Sequence, residues 1–206
     1  MKNRTLEKLL DIGIVICCGC AIVFLSGVSV SGIVDLGAFS SLFAIATVLS
    51  FLYYFCEFVY LFKGGKGILF SLGKFICFTS VTFCAMFALV FMQPFYRNAS
   101  ENVKIAYLCM HSILPCLVLA EYVVSDKGHY NKGFIVTYMI LFILYGGILL
   151  LCGQYTSIGY PYAFLDHGQL GYKLVGEECI LLTIVMYVYG KIVIGIDRLF
   201  RKRGRK

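Results

Sequence analysis

The chain has 206 residues and a net charge of +7, with 60% hydrophobic residues, only 14% charged and a mean hydropathy of +0.87. A soluble domain carries roughly 25% charged residues to cover its surface. That composition excludes an ordinary soluble globular protein and points to a membrane.

A helical span needs about 20 mostly apolar residues, because ~30 Å of hydrocarbon is crossed at ~1.5 Å per residue. Six stretches meet that length. The first, Leu9–Val30, is 22 residues long, longer than the ~7–15 residues of a signal-peptide core, and no small-x-small site closes it, so it is read as a retained span. It carries Cys17, Cys18 and Cys20, too tightly spaced along a helix to chelate a metal and read as packing residues. Asp11 lies near its end, close enough to reach water. The second, Ala38–Phe62, contains Thr47 and Glu57. The third, Ile68–Met92, contains Lys74 near its start and Thr79, Ser80 and Thr82 around its middle. A short loop with the sequon Asn98-Ala99-Ser100 leads to the fourth, Val103–Val124, which holds His111, Pro115 and Glu121. The fifth is Phe134–Cys152 and the sixth Cys179–Ile196. A basic tail, residues 197–206, follows. The expected fold is all-α, a single six-helix transmembrane domain over residues 1–206. A barrel is excluded by the lack of ~10-residue alternating segments.

Charge orients the spans. Threaded back and forth, they place fifteen of the eighteen Lys and Arg on one side, leaving only Arg97, Lys104 and Lys173 on the other. The positive-inside rule makes the crowded side cytoplasmic. Both termini are expected there, in a cell membrane, and an even span number requires the same. The tail RLFRKRGRK is a topology anchor with affinity for anionic lipid, and no nucleic-acid partner is expected.

Ionisable groups within spans are costly, from ~2.5 kcal/mol upward, and are site candidates by default. Glu57, Lys74 and Glu121 fall at similar depth near the cytoplasmic face and are read as a structural polar cluster with Lys74 partnering a carboxylate. His111 is ~12 Å from the opposite face. Pro115, four residues on, lacks the N–H that would bond the His111 carbonyl and tends to kink the helix. A hydroxyl such as Thr47, paired with His111, has the logic of an activated nucleophile; the alternative is a neutral histidine bonded to a neighbouring hydroxyl.

Between spans five and six, Gly153–Glu177 reads as a 25-residue outer loop dense in aromatics, a cap over the helices. Asp166 and His167 are too few to hold a metal, and Asp166 suits a capping or turn role. Neither a metal nor a cofactor is expected. Cys152 and Cys179, at the two ends of this loop, are placed where a disulfide is conceivable.

Two motifs carry a family resemblance. His111-Ser-Ile-Leu-Pro115, with Glu121 near the end of the same helix, and Tyr160-Pro161-Tyr162-Ala-Phe164-Leu165-Asp166, followed by Gly171-Tyr172, resemble the six-span Pr-six-Pr membrane family of bacteria. That family is distantly similar to the androgen-induced membrane threonine hydrolases of animals. The resemblance covers nearly the whole chain and implies cleavage of lipid esters by an intramembrane Thr and His, with His111 at the His position. The family pattern Phe-Thr-x-x-Ser/Thr-Asn meets Phe43-Ala44-Ile45-Ala46-Thr47-Val48 here. Ala44 stands where the threonine is expected, and Thr47 lies one turn deeper on the same face.

Three functional readings follow. The leading one is a protein that binds a lipid or small apolar ligand in an outer-leaflet cavity lined by Tyr160, Pro161, Tyr162, Phe164 and Asp166. The alternatives are a lipid-ester hydrolase using Thr47 and His111, and a small transporter. Membrane lipids are the expected partners.

Overall fold

A computed structural model describes residues 4–27, 41–61, 68–91, 100–125, 130–156, 159–160 and 162–203. These are helical, with no strand among the described residues. Six helices are long and apolar enough to cross a membrane: α1 (Arg4–Leu25), α2 (Leu42–Leu61), α3 (Ile68–Phe91), α4 (Glu101–Val124), α5 (Lys132–Tyr155) and α6 (His167–Arg203).

The helices form two compact units, Met1–His129 and Tyr130–Lys206. In the first, α1 packs against α2 and α4, and α3 packs against both α2 and α4. Its buried residues include Ile14, Cys18, Tyr54, Phe75, Val81, Leu114 and Val118. In the second, α5 packs against α6, and α6 against a 3-10 turn, Ala163–Leu165.

Local chemistry sets several ends. The Ser41 hydroxyl accepts from the Ala44 N–H at 3.2 Å at the start of α2, and the Asn131 side chain accepts from the Gly133 N–H at 3.2 Å at the start of α5. Both satisfy donors that a helix start leaves unpaired. Asp166 does the same for α6, accepting from Gly168 and Gln169 at 3.0 and 3.3 Å. A turn further on, Gly171 has φ 76° and ψ 154°, a conformation open to glycine and strained for other residues. It divides a short leading turn from the long body of α6.

The connection between α5 and α6 is much shorter than the 25-residue loop the hydropathy suggests, because α5 runs to Tyr155 and α6 begins at His167. The helix α1 likewise begins five residues before the apolar stretch, at Arg4, so Glu7, Lys8 and Asp11 are helical. The sequon at Asn98 and much of the basic tail lie outside the described residues. All ten cysteines are free thiols, Cys152 and Cys179 among them.

In α4 the backbone widens. Cys109–Ile113 form a π-helical turn, and the Leu114 N–H bonds the Cys109 carbonyl, five residues back. Pro115 explains it: the proline supplies no N–H, and its ring would clash with the carbonyl four residues earlier in a regular helix. The kink expected from Pro115 is therefore taken up as a wider turn. The Cys17 thiol of α1 also donates to the Cys109 carbonyl, at 3.5 Å.

Close packing of α2 on α3 depends on Gly73. A methyl group at this position would sit 2.7 Å and 2.9 Å from two ring carbons of Tyr53. Gly73→Val should therefore cost about 1–3 kcal/mol by overpacking, despite leaving the helix a better former than glycine. A lowered melting temperature in detergent micelles, with Gly133→Val on open surface as control, checks this.

Candidate acidic site in the N-terminal unit

Each of the four helices in the first unit sends an ionisable side chain to the same buried place. The helix α1 contributes Glu7 and Asp11, four residues apart and hence on one face. The helices α2, α3 and α4 contribute Glu57, Lys74 and Glu121. None is more than 4% exposed, and Asp11 and Glu121 are fully buried. Measured along the helices, Asp11 is seven residues into α1 and Lys74 six into α3, while Glu57 and Glu121 lie four and three residues before the ends of α2 and α4. At ~1.5 Å per residue these depths agree within one to two turns.

Lys74 is the one basic group among them. Its Nζ lies 2.5 Å from the Glu121 carboxylate and donates equally closely to the Ser125 hydroxyl. The Tyr54 hydroxyl donates to the other Glu121 oxygen at 3.5 Å. Glu121 thus holds a full set of partners. Carboxylate oxygens of Glu7, Glu57 and Glu121 all lie within 4.8 Å of one another. Asp11 faces the same group, within electrostatic reach of Glu57, Glu121, Lys74 and Glu7. Neither of its oxygens has a hydrogen-bond partner. A buried carboxylate in that state is expensive, since burial of a polar group without a partner costs a few kcal/mol and burial of a charge costs more.

The structure thus brings Glu57, Lys74 and Glu121 together, with Lys74 on a carboxylate as the depth reading expects. It also adds Glu7 and Asp11. Asp11 does not reach water as its place in the sequence suggests. The helix starts earlier than the apolar stretch, so Asp11 sits in its second turn, turned toward α2 and α4. The i, i+4 spacing of Glu7 and Asp11 was the available signal.

The other candidate residues sit elsewhere. Thr47 is buried, and its hydroxyl donates to the Phe43 carbonyl of its own helix at 2.8 Å, the bond a threonine inside a membrane helix commonly makes. The Phe43 ring meets the His111 ring edge-on, with centroids 4.5 Å apart, and Tyr107 stacks on His111 at 5.4 Å. Phe43 thus touches both members of the nucleophile pair, Thr47 through its carbonyl and His111 through its ring. Ala44 is buried beside it.

In the second unit, Tyr162 and Phe164 stack at 5.2 Å, and His167 lies between Tyr172, stacked at 4.4 Å, and Tyr160, edge-on at 5.7 Å. Pro161 lies outside the described residues. Asp166 is the cap of α6, as its turn-forming position suggests. Tyr160 rests against the α5 backbone at Gly153, where a side chain would collide with its ring.

The ion pair should respond sharply to loss of one partner. Lys74→Met leaves Glu121 buried without its cation and should cost about 3–5 kcal/mol. Lys74→Met combined with Glu121→Gln should recover much of that loss, because no uncompensated charge remains. Melting of the four variants of this double-mutant cycle in detergent measures the coupling; additive losses would show that the pair contributes nothing specific.

Compared with known proteins, the chain matches no family model, no curated protein and no solved structure.

Proposed function

We propose that this is a multi-pass membrane protein that takes a cation into an acidic site built by its four N-terminal helices, and so works as a small cation carrier. One observation carries the reading: Asp11 is fully buried, has no hydrogen-bond partner on either oxygen, and lies within electrostatic reach of three further carboxylates. Ionisable groups placed inside membrane helices mark ion and proton pathways far more often than they mark stability.

The charge split supports an orientation with both termini in the cytoplasm of a cell-membrane protein, which sets the acidic site in the cytoplasmic half of the bilayer. The hydrolase reading requires the Thr47 hydroxyl to exchange its bond to Phe43 for one to His111. The apolar-ligand reading draws His111 from one unit and Tyr160–Asp166 from the other. The acidic site is complete within one unit and needs no rearrangement to face a cation.

Proteoliposomes test the proposal. Full-length protein in liposomes should accelerate entry of at least one of H+, Na+, K+ or Mn2+, each followed with its own indicator dye. Asp11→Asn should reduce that rate by about tenfold or more, a change equivalent to ~1.4 kcal/mol. Equal leak with and without protein for all four ions would sink the carrier reading.

A further inference from the structure

Building on the reading above, we infer that the cation is a proton, carried by the Asp11 side chain as a carboxylic acid.

Asp11 itself is the first ground. It is fully buried, and neither of its oxygens has a hydrogen-bond partner. An acid that stays ionised inside a protein normally ends on donors, as Glu121 does on Lys74 and Tyr54. Burying an unpaired charge costs far more than burying a neutral polar group, and a group so placed escapes the cost by neutralising. One proton on Asp11 is the smallest change that does this.

The neighbours are the second ground. The charged and titratable groups within electrostatic reach of Asp11 come from all four helices: Glu7 on α1, Glu57 on α2, Lys74 on α3 and Glu121 on α4. Nearby acids oppose a further negative charge, and a nearby cation favours it. Lys74 is the cation of that set, but its Nζ is in contact with Glu121 and Ser125. No hydrogen bond joins it to Asp11.

The third ground separates a proton from a metal ion. A metal ion takes several oxygens at about 2.0–2.6 Å. The carboxylate oxygens that lie within 4.8 Å of one another come from Glu7, Glu57 and Glu121, and Asp11 is not among them. A proton needs a single oxygen, and Asp11 offers two.

Loading transfers one proton from hydronium to the Asp11 carboxylate and releases one water molecule. Unloading is the reverse, and nothing is oxidised or reduced. The neutral acid fits the closed packing of the four helices, whereas the carboxylate requires water or a donor. Protonation therefore lets the helices close over Asp11, and release of the proton requires them to open.

Infrared spectroscopy reads the proton directly, because the carbonyl stretch of a carboxylic acid is distinct from the carboxylate bands and shifts in D2O. Full-length protein in liposomes should show that stretch at neutral pH, and Asp11→Asn should remove intensity equal to one acid. Melting adds a second readout. Wild-type stability should fall as the pH rises above neutral, because the folded chain holds a proton on Asp11 that the unfolded chain has released. Asp11→Asn, close to the neutral acid in shape and charge, should weaken that dependence. Under a pH gradient, H+ entry into liposomes should fall by about tenfold or more in Asp11→Asn, while Na+, K+ and Mn2+ enter no faster than without protein. Glu101→Gln, which alters the exposed acid paired with Lys104, should leave all three readouts unchanged. Wild-type protein with no carboxylic-acid stretch at neutral pH overturns the inference outright, a result independent of whether any variant folds. A stretch or an H+ flux left intact by Asp11→Asn also overturns it, since the proton then sits on another group. The carrier reading is judged separately. Flux of Na+, K+ or Mn2+ by a protein that lacks the acid stretch leaves the carrier standing and removes the proton. An Asp11-dependent stretch without flux of any ion shows a proton held at Asp11 and removes transport.

Discussion

The first unit is organised around the contact between Lys74 and Glu121. A lone carboxylate or ammonium in an apolar interior costs several kcal/mol after relaxation, and the pair becomes tolerable only with good geometry and further hydrogen bonds. Both conditions are met here: Ser125 accepts from Lys74, and Tyr54 donates to Glu121. Because Lys74 is on α3 and Glu121 on α4, the pair fixes the mutual register of those helices. Tyr54 brings α2 to the same point. Three helices are thereby pinned where apolar packing alone would allow sliding, since side chains such as Leu and Phe exchange places with lipid at little cost.

The same contact creates the imbalance that makes the site interesting. Lys74 is committed to Glu121, so Glu7, Asp11 and Glu57 must be stabilised by other means. For Glu7, part of the answer is its place in the first turn of α1, where the N-terminal end of the helix dipole favours negative charge. Asp11 is one turn further in, where that effect has faded, and its oxygens have no donor. Asp11 is also the more deeply buried of the two acids on α1.

Hydropathy and charge spacing made the six helices legible, because lipid rewards apolar length and little else. The boundaries of α1 and α6 were not legible for the same reason. Apolarity reports what faces lipid, and both helices continue with residues that face something else: Glu7 and Asp11 turn into the unit, and α6 extends at both ends past its apolar body to His167 and Arg203. Depth along the helices brought Lys74 to Glu121 correctly, since both lie near the same end of their spans and long side chains absorb an error of a residue or two. The same arithmetic failed for Asp11, whose assignment to water rested on the misplaced start of α1. The π turn was half legible. Pro115 announced a lost hydrogen bond, but whether a helix kinks or widens depends on neighbours such as Cys17, which meets the Cys109 carbonyl from α1. The Thr47 hydroxyl shows a different limit. Its depth matched His111, but depth says nothing of which acceptor the hydroxyl takes, here the Phe43 carbonyl of its own helix.

The helix ends themselves favour a cation at the acidic site. Glu121 lies in the last turn of its helix, α4, where the carbonyl end carries partial negative charge and disfavours an acid, and Glu57 lies four residues before Leu61 of α2. A sequence selected for stability alone would place Lys or Arg there, and none stands in the last turn of either helix. One carboxylate is instead set on a negative helix end with a second a turn from the last residue described in α2, and α1 adds two more. Glu121 has Lys74 in contact. The result is a concentrated group of carboxylates beneath an apolar exterior. The cation proposed for this site would offset the cost of gathering these acids in an apolar interior.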